Sequence, residues 1–240
     1  MNSTLDLIQS EEIFHLLKTG KFDFIDAGCG TGGSINYCKK VFDKLSGIGF
    51  DKDLKKIKVA RNNKFEVFYH SITEINFPNK CVTFSSMLDF LEHLPDLETA
   101  EKVLFNLGSA SSDFLFIRHP SFEAIDYLKK LDLKITWTDW CGHKNMMRIS
   151  DFIYIFNKFG WHDYRIIPRK LIENSEHSAI LPIDYPPNSN RFEKEKCFDK
   201  PSIIFDQPLF EQYDIFVKLD KDMIIEEWDR ITSATSFSAK

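Results

Sequence analysis

Asp26-Ala27-Gly28-Cys29-Gly30-Thr31-Gly32-Gly33 decides how the chain reads. The stretch before it, FDFIDAG (22–28), is a short apolar strand that runs into glycines. The stretch after it, SINYCKKVF (34–42), is a helix with Ile35, Cys38, Val41 and Phe42 on one face. Glycine belongs at such a bend because the backbone turns with positive φ and a ligand must approach the main chain closely. The helix that follows offers free N–H groups to an anion. Asp51, 23 residues after Gly28, ends the next apolar segment, where a carboxylate can accept both hydroxyls of a ribose.

Outward from this bend, strands and helices alternate. LSGIGFD (45–51), FEVFYH (65–70), KCVTFSS (80–86) and SDFLFIR (112–118) read as strands two to five. Helices are expected over 5–18, ended by Gly20, and over 53–62. Two more are capped by Asp96 and by Ser121. ISDFIYIFNKF (149–159) is a helix closed by Gly160, and WHDYRII (161–167) and YDIFVKL (213–219) are strands six and seven. This pattern implies βαβ units: a doubly wound, mostly parallel sheet with helices on both faces. The long stretch between the last two strands holds Pro182, Pro186, Pro187 and the charged run RFEKEK, and reads as an insertion.

Composition narrows the classes. The 240 residues are 43% hydrophobic and 28% charged, with a net charge of −5. That is globular, and its acidity argues against nucleic acid as a partner. No apolar run can span a bilayer, so no membrane partner is expected. The opening MNSTLDLIQSEE lacks a secretory signal's basic and apolar regions, so a cytoplasmic location is expected. Cys29, Cys38, Cys81, Cys141 and Cys197 are odd in number and form no C-x-x-C pair, so reduced thiols are expected and no metal site.

Gly28, Gly30 and Gly33 also satisfy G-x-G-x-x-G, a weak sign of a dinucleotide. Asp26 discriminates, because an acid two residues before the first glycine repels a pyrophosphate and suits an ammonium and a sulfonium. Here the sequence resembles the Rossmann-like, class I S-adenosylmethionine-dependent methyltransferases. IDAGCGTG matches the family's D-x-G-x-G-x-G motif and GIGFDKD its second motif. The likeness runs from about residue 20 to 131 and more loosely over the final strands. It implies a seven-stranded sheet with the last strand antiparallel, in a single domain over 1–240. An N-terminal helix (1–20) would precede it, with insertions at 132–148 and 174–212 over the substrate side. S-adenosylmethionine is the implied cofactor and S-adenosylhomocysteine the product. Asp26, Gly28, Cys29, Gly30 and Gly32 would hold the methionine portion. Asp51 would hold the ribose, with Phe50 or Lys52 near the adenine. HSITEINFP (70–78) departs from the family's third motif, with Ser71 in place of an acid and Ile72 left its backbone. SSMLDFLEHLP (85–95) resembles the family's fourth-strand exit, where Met87 would pack on the cofactor.

Methyl transfer is an in-line displacement, and a hydroxyl acceptor must lose a proton. In open α/β sheets such groups lie beyond the carboxyl ends of the strands. That selects Asp89, Glu92, His93 and His119, with Trp137, Asp139, Trp140 and His143 in a later loop. His119 is the first choice for general base and His143 the second; a bonded loop histidine is the plain alternative for His119. His93 reads as a helix-end cap, and Arg118 and Arg148 as surface pairs that could bind an anionic substrate. Cys29 should pack and not react. Asp184-Tyr185-Pro186-Pro187 has the residues of the base-amino methyltransferase motif in scrambled order and the wrong place.

The expected activity is O-methylation of a small polar metabolite. RHPSFEAIDYL and WTDWCGHKN resemble segments of enzymes that decorate surface-polysaccharide precursors. An NAD(P)-dependent oxidoreductase, a protein methyltransferase and a non-catalytic cofactor-binding subunit are the alternatives, and a homodimer is left open.

Overall fold

The computed structural model describes residues 10–193 and 199–235. Its main sheet has seven strands: β1 (Phe24–Ala27), β2 (Gly47–Asp51), β3 (Glu66–Tyr69), β4 (Val82–Leu88), β5 (Ser111–Pro120), β7 (Tyr164–Asn174) and β9 (Ile204–Lys218). Their order is β3-β2-β1-β4-β5-β9-β7. β1 to β5 pair in parallel, and β9 runs antiparallel between β5 and β7. The expected mixed sheet with an antiparallel last strand is what forms.

Alternation along the strands builds a core on each face. In β5, Leu115 and Ile117 join the cluster of Ile13, Leu104 and Phe156; these come from α1 (Ser10–Leu17), α4 (Leu97–Ala110) and α6 (Ile149–Lys158). Phe114 and Phe116 join the opposite cluster of Ile35, Ile57 and Trp228; these come from α2 (Gly33–Val41), α3 (Leu54–Asn62) and α7 (Ile225–Ser233). The phenylalanines cross the sheet as a ladder, with Phe24 and Phe84 stacked at 4.8 Å, and Phe84 and Phe114 at 4.7 Å. Each such pair contributes about 0.5–1.5 kcal/mol beyond its buried area.

Several expectations need correction. The first helix is described only from Ser10, and its earlier residues and Cys197 lie outside the described residues. Asp96 does cap α4, accepting from the Thr99 N–H at 2.8 Å. Ser121 caps nothing: α5 (Ile125–Lys130) starts later, with Ala124 at its N-cap. β5 runs two residues past Arg118, and β9 starts nine residues before Tyr213. β7 and β9 thereby extend as a long ribbon beyond the sheet, paired out to Asn174 and Ile204. On that ribbon sits a second sheet, β6 (Leu133–Ile135) against β8 (Ile180–Pro182). Leu133, Ile135 and Ile180 pack there with Ile172 and Leu209 of the ribbon. The stretches 132–148 and 174–212 are thus tied to one another.

Candidate functional site

At the carboxyl end of β1 the chain turns through Gly28, Gly30 and Gly32, with φ of 70°, 53° and 93°. Such values cost a residue with a Cβ about 1–3 kcal/mol. An added Cβ at Gly28 would also lie 2.3 Å from Phe90 Cδ2. At Gly30 the nearest atom would be 4.0 Å away, so that side of the turn is open. Gly28 and Cys29 donate to the Phe50 carbonyl at 2.9 and 3.1 Å. The Gly30 N–H donates to Asp51 Oδ2 at 2.9 Å, and the Asp53 N–H to Asp51 Oδ1 at 2.7 Å. The first acid loop and the second are therefore one hydrogen-bonded unit.

Asp26 lies beneath this unit, 0% exposed. Ser34 Oγ donates to it at 2.5 Å and Ser86 Oγ at 2.6 Å. Burial pushes its carboxyl up to about 7, against the two hydroxyls and with some help from Asp51. α2 has Gly32 at its N-cap with no side-chain cap, which leaves its first N–H groups open to an anionic group. A buried acid below the turn, a fixed carboxylate beside it and an uncapped helix above it fit S-adenosylmethionine: they favour a cation, ribose hydroxyls and a carboxylate. The same buried acid disfavours a diphosphate.

The other expected cofactor residues fall around this turn unevenly. Cys29 is 2% exposed, and burial pushes its thiol well above the ordinary range, as expected of an inert side chain. Lys52 is exposed. Phe50 is fully buried and packed on Phe68 and Phe77, so it belongs to the core. Met87, beside Ala27 in the register, is 0% exposed and also a core residue. Ser71 shares a hydrogen bond with Thr73 Oγ1 at 2.8 Å, and the buried Ile72 opens an otherwise exposed single turn over Ile72–Glu74.

Past Phe90, beyond β4 and β5, lies a recess of about 240 Å³ lined by Asp89, Glu92, His93, Pro120, Trp137, His143, Glu211 and Gln212. Asp89 stands at its open rim with φ 49°. Desolvation by the surrounding walls, followed by the field of Glu92, pushes its carboxyl up to about 6. His143 Nδ1 lies 2.8 Å from the Trp137 carbonyl, and His93 Nδ1 lies 3.0 Å from the Gly142 carbonyl. A carbonyl can only accept, so each Nδ1 carries the proton and each neutral ring keeps its lone pair on Nε2. Burial lowers the pKa of His143. Trp137 Nε1 donates to the Ser121 carbonyl at 2.7 Å, which fixes that wall.

His119 does not line this recess. β5 continues through it, and its ring is 1% exposed between Phe122 and Phe152. Its Nδ1 is 3.5 Å from Glu92 Oε2, and neither nitrogen makes a hydrogen bond. It backs Glu92 and cannot be reached by an acceptor in the recess. Arg118 makes a double ion pair with Asp214 at 2.7 and 3.0 Å, and Arg148 pairs with Asp126 at 2.9 Å, so neither is free for an anion. Asp139 pairs with Lys134 at 2.5 Å, and Trp140 is 37% exposed beside Gly142. Glu211 and Gln212 fall in the expected 174–212 insertion, where nothing in the sequence singles them out because the strand reads as beginning only at Tyr213.

Residues 25–107 match the family model described as a methyltransferase domain. No curated protein matches the chain in sequence. Among solved structures, the chain is similar to a SAM-dependent methyltransferase from Archaeoglobus fulgidus, at 21% identity and a TM-score of 0.58, over 88% of this chain and 94% of that one. It is also similar to the YcgJ protein from Bacillus subtilis, at 11% identity and 0.55, over 89% and 100%. A SAM-dependent methyltransferase from Methanosarcina mazei gives 12% identity and 0.51, over 86% and 96%. At these identities the structural likenesses speak for the fold, and the family model for the β1–α4 segment that carries the glycine turn. The matched residues 25–107 carry the glycine turn and both acids, and over that segment and in its fold the chain is similar to the class I S-adenosylmethionine-dependent methyltransferases.

Proposed function

We propose that the protein methylates a hydroxyl oxygen of a small polar molecule held in the recess beyond Phe90. The observation that carries this reading is the recess itself, about 240 Å³, with carboxylates and imidazoles converging on it one residue away from the ring that covers Gly28. That volume suits a small molecule, and the polar lining suits hydroxyls. When bound, the cofactor supplies a methyl carbon made electrophilic by a positive sulfur. Asp51 accepts the ribose hydroxyls, and the turn from Gly28 to Gly32 lies along the methionine portion. The Asp26 carboxylate favours the cation from below, and the first N–H groups of α2 take the carboxylate. Lys52, Ser71 and Ile72 border the adenine end.

An alcohol is a weak nucleophile until its proton leaves, and a positioned base contributes about 10²–10⁴-fold. His143, by its free Nε2, and Asp89, at the recess wall, are the groups that can receive that proton. His119 acts as a positioning residue through Glu92. The wall from Trp137 to His143 closes the site over the acceptor in this reading. Among the described residues no helix is long and apolar enough to cross a membrane.

The test is product analysis. The protein is incubated with methyl-labelled cofactor and a panel of polyhydroxylated and phenolic small molecules, and the labelled carbon is located by NMR. The reading expects an O-methyl ether. A label found on nitrogen or carbon contradicts it.

A further inference from the structure

We propose that Glu92, His93 and His143 bind one divalent first-row transition-metal ion, in the class of zinc or ferrous iron. Each of the three offers a ligand atom, and these atoms lie within 4.8 Å of one another. Two further observations point to an ion. Glu92 is 1% exposed and lines the recess, and its Oε2 makes no hydrogen bond, with His119 Nδ1 3.5 Å away. An orphaned buried carboxylate is costly unless a cation meets it. Both imidazoles hold their Nδ1–H on backbone carbonyls, Gly142 for His93 and Trp137 for His143, the outer support that metal-bound histidines ordinarily have. That support fixes the tautomer and leaves Nε2 as the ligating atom on each ring. The Glu92 carbonyl accepts from the Lys144 and Asn145 N–H groups at 2.9 and 3.1 Å, which clamps the two contributing loops together.

Two imidazole nitrogens and one carboxylate oxygen select zinc, iron, cobalt or nickel over magnesium or calcium, which prefer all-oxygen sets. Three protein ligands leave positions open for an acceptor oxygen. The inference rests on the hydroxyl-acceptor reading and deepens it. A hydroxyl on the ion is acidified, as zinc lowers the pKa of bound water from 15.7 to about 7. His143 is then a ligand, and Asp89 receives the proton. The O–H bond breaks, the oxygen forms a bond to the methyl carbon, and the carbon–sulfur bond breaks with its electron pair left on a neutral sulfide. No oxidant or reductant is needed.

The probe is Co²⁺, titrated into chelator-treated full-length protein and followed by its visible ligand-field absorption. One equivalent should bind, with the intensity of a low-coordinate site, and excess Mg²⁺ should not displace it. His93→Gln, at an exposed position, and Glu92→Gln should each weaken Co²⁺ binding by about 100-fold or more, the upper end of what losing even an outer-shell partner costs. S-adenosylhomocysteine affinity should stay within about twofold in His93→Gln, which reports an intact fold. No saturable absorption, or equal Co²⁺ affinity in wild type and His93→Gln, overturns the site. Saturable Co²⁺ binding alongside a label on nitrogen would keep the site and reject the hydroxyl reading. Undiminished O-methylation without Co²⁺ binding would do the reverse.

Discussion

The two halves of the proposed site are built in opposite ways. The cofactor half is local: Asp26, the glycine turn, Asp51 and Asp53 come from two consecutive βα units, joined by hydrogen bonds between neighbouring parallel strands. The acceptor half is assembled from afar. Glu92 and His93 follow β4, Trp137 and His143 belong to a loop after β6, and Glu211 and Gln212 come from β9. A local unit can keep its chemistry in a short motif. A distant one fixes its geometry through the ribbon and the small second sheet, so its residues carry no spacing that announces them. Cofactor affinity and turnover should therefore respond to different substitutions.

The largest separation is expected at His143. His143→Gln should lower turnover by about 10²–10⁴-fold, whether the imidazole takes the proton itself or holds the ion that acidifies the hydroxyl. S-adenosylhomocysteine affinity should move by less than about twofold. A matching loss of cofactor affinity, read by calorimetry, would mean that the halves are not separable.

Asp51→Ala is the converse. Hydrogen bonds to a charged group contribute about 1.5–3 kcal/mol each, so losing two ribose contacts should weaken S-adenosylhomocysteine by at least about 100-fold. Unchanged affinity would remove Asp51 from the cradle.

The buried Asp26 gives a pH dependence. Its carboxyl is raised to about 7 in the free protein. Folding therefore favours the protonated form; the stability this brings is present in full below about pH 4 and is lost as pH rises through about 7. A cation above it favours the ionised form. Affinity for S-adenosylhomocysteine, whose amino group is cationic, should fall by up to about tenfold per unit as pH drops from about 7 to 5.5. Asp26→Asn should bind weakly and with a flat profile. A flat wild-type profile would show that the Asp26 charge does not reach the ligand.

The smallest effect is on the backbone. Gly28→Ala should cost about 1–3 kcal/mol of stability through its positive φ and its clash with Phe90. Phe90→Ala in the same chain should recover the steric part in a denaturant series, and no recovery would place the cost in φ alone.

The sequence carried the first half of the molecule well because alternating apolar residues and capping acids act locally. Asp53 and Asp96 sit where the side chain accepts from N–H groups of α3 and α4. Tertiary context decided the rest. β6 is three residues long and its partner β8 is distant, so Leu133-Lys134-Ile135 has no pattern to read. Asp206, Gln207 and Pro208 hide the start of β9. Trp228 and Ile231 are buried in α7 on a strongly charged segment, which no sequence feature had marked as a helix. His119 was misplaced because β5 runs to Pro120, and strand alternation then turns its ring into the core. The Glu92–His93–His143 grouping needs two loops to meet, and only the fold brings them together.

Calorimetry of the wild-type protein with S-adenosylhomocysteine and, separately, with NAD tests the paired-acid cradle most directly. The account predicts saturable binding of one S-adenosylhomocysteine per chain and no heat from NAD. Tight NAD binding, with S-adenosylhomocysteine inert, would contradict it.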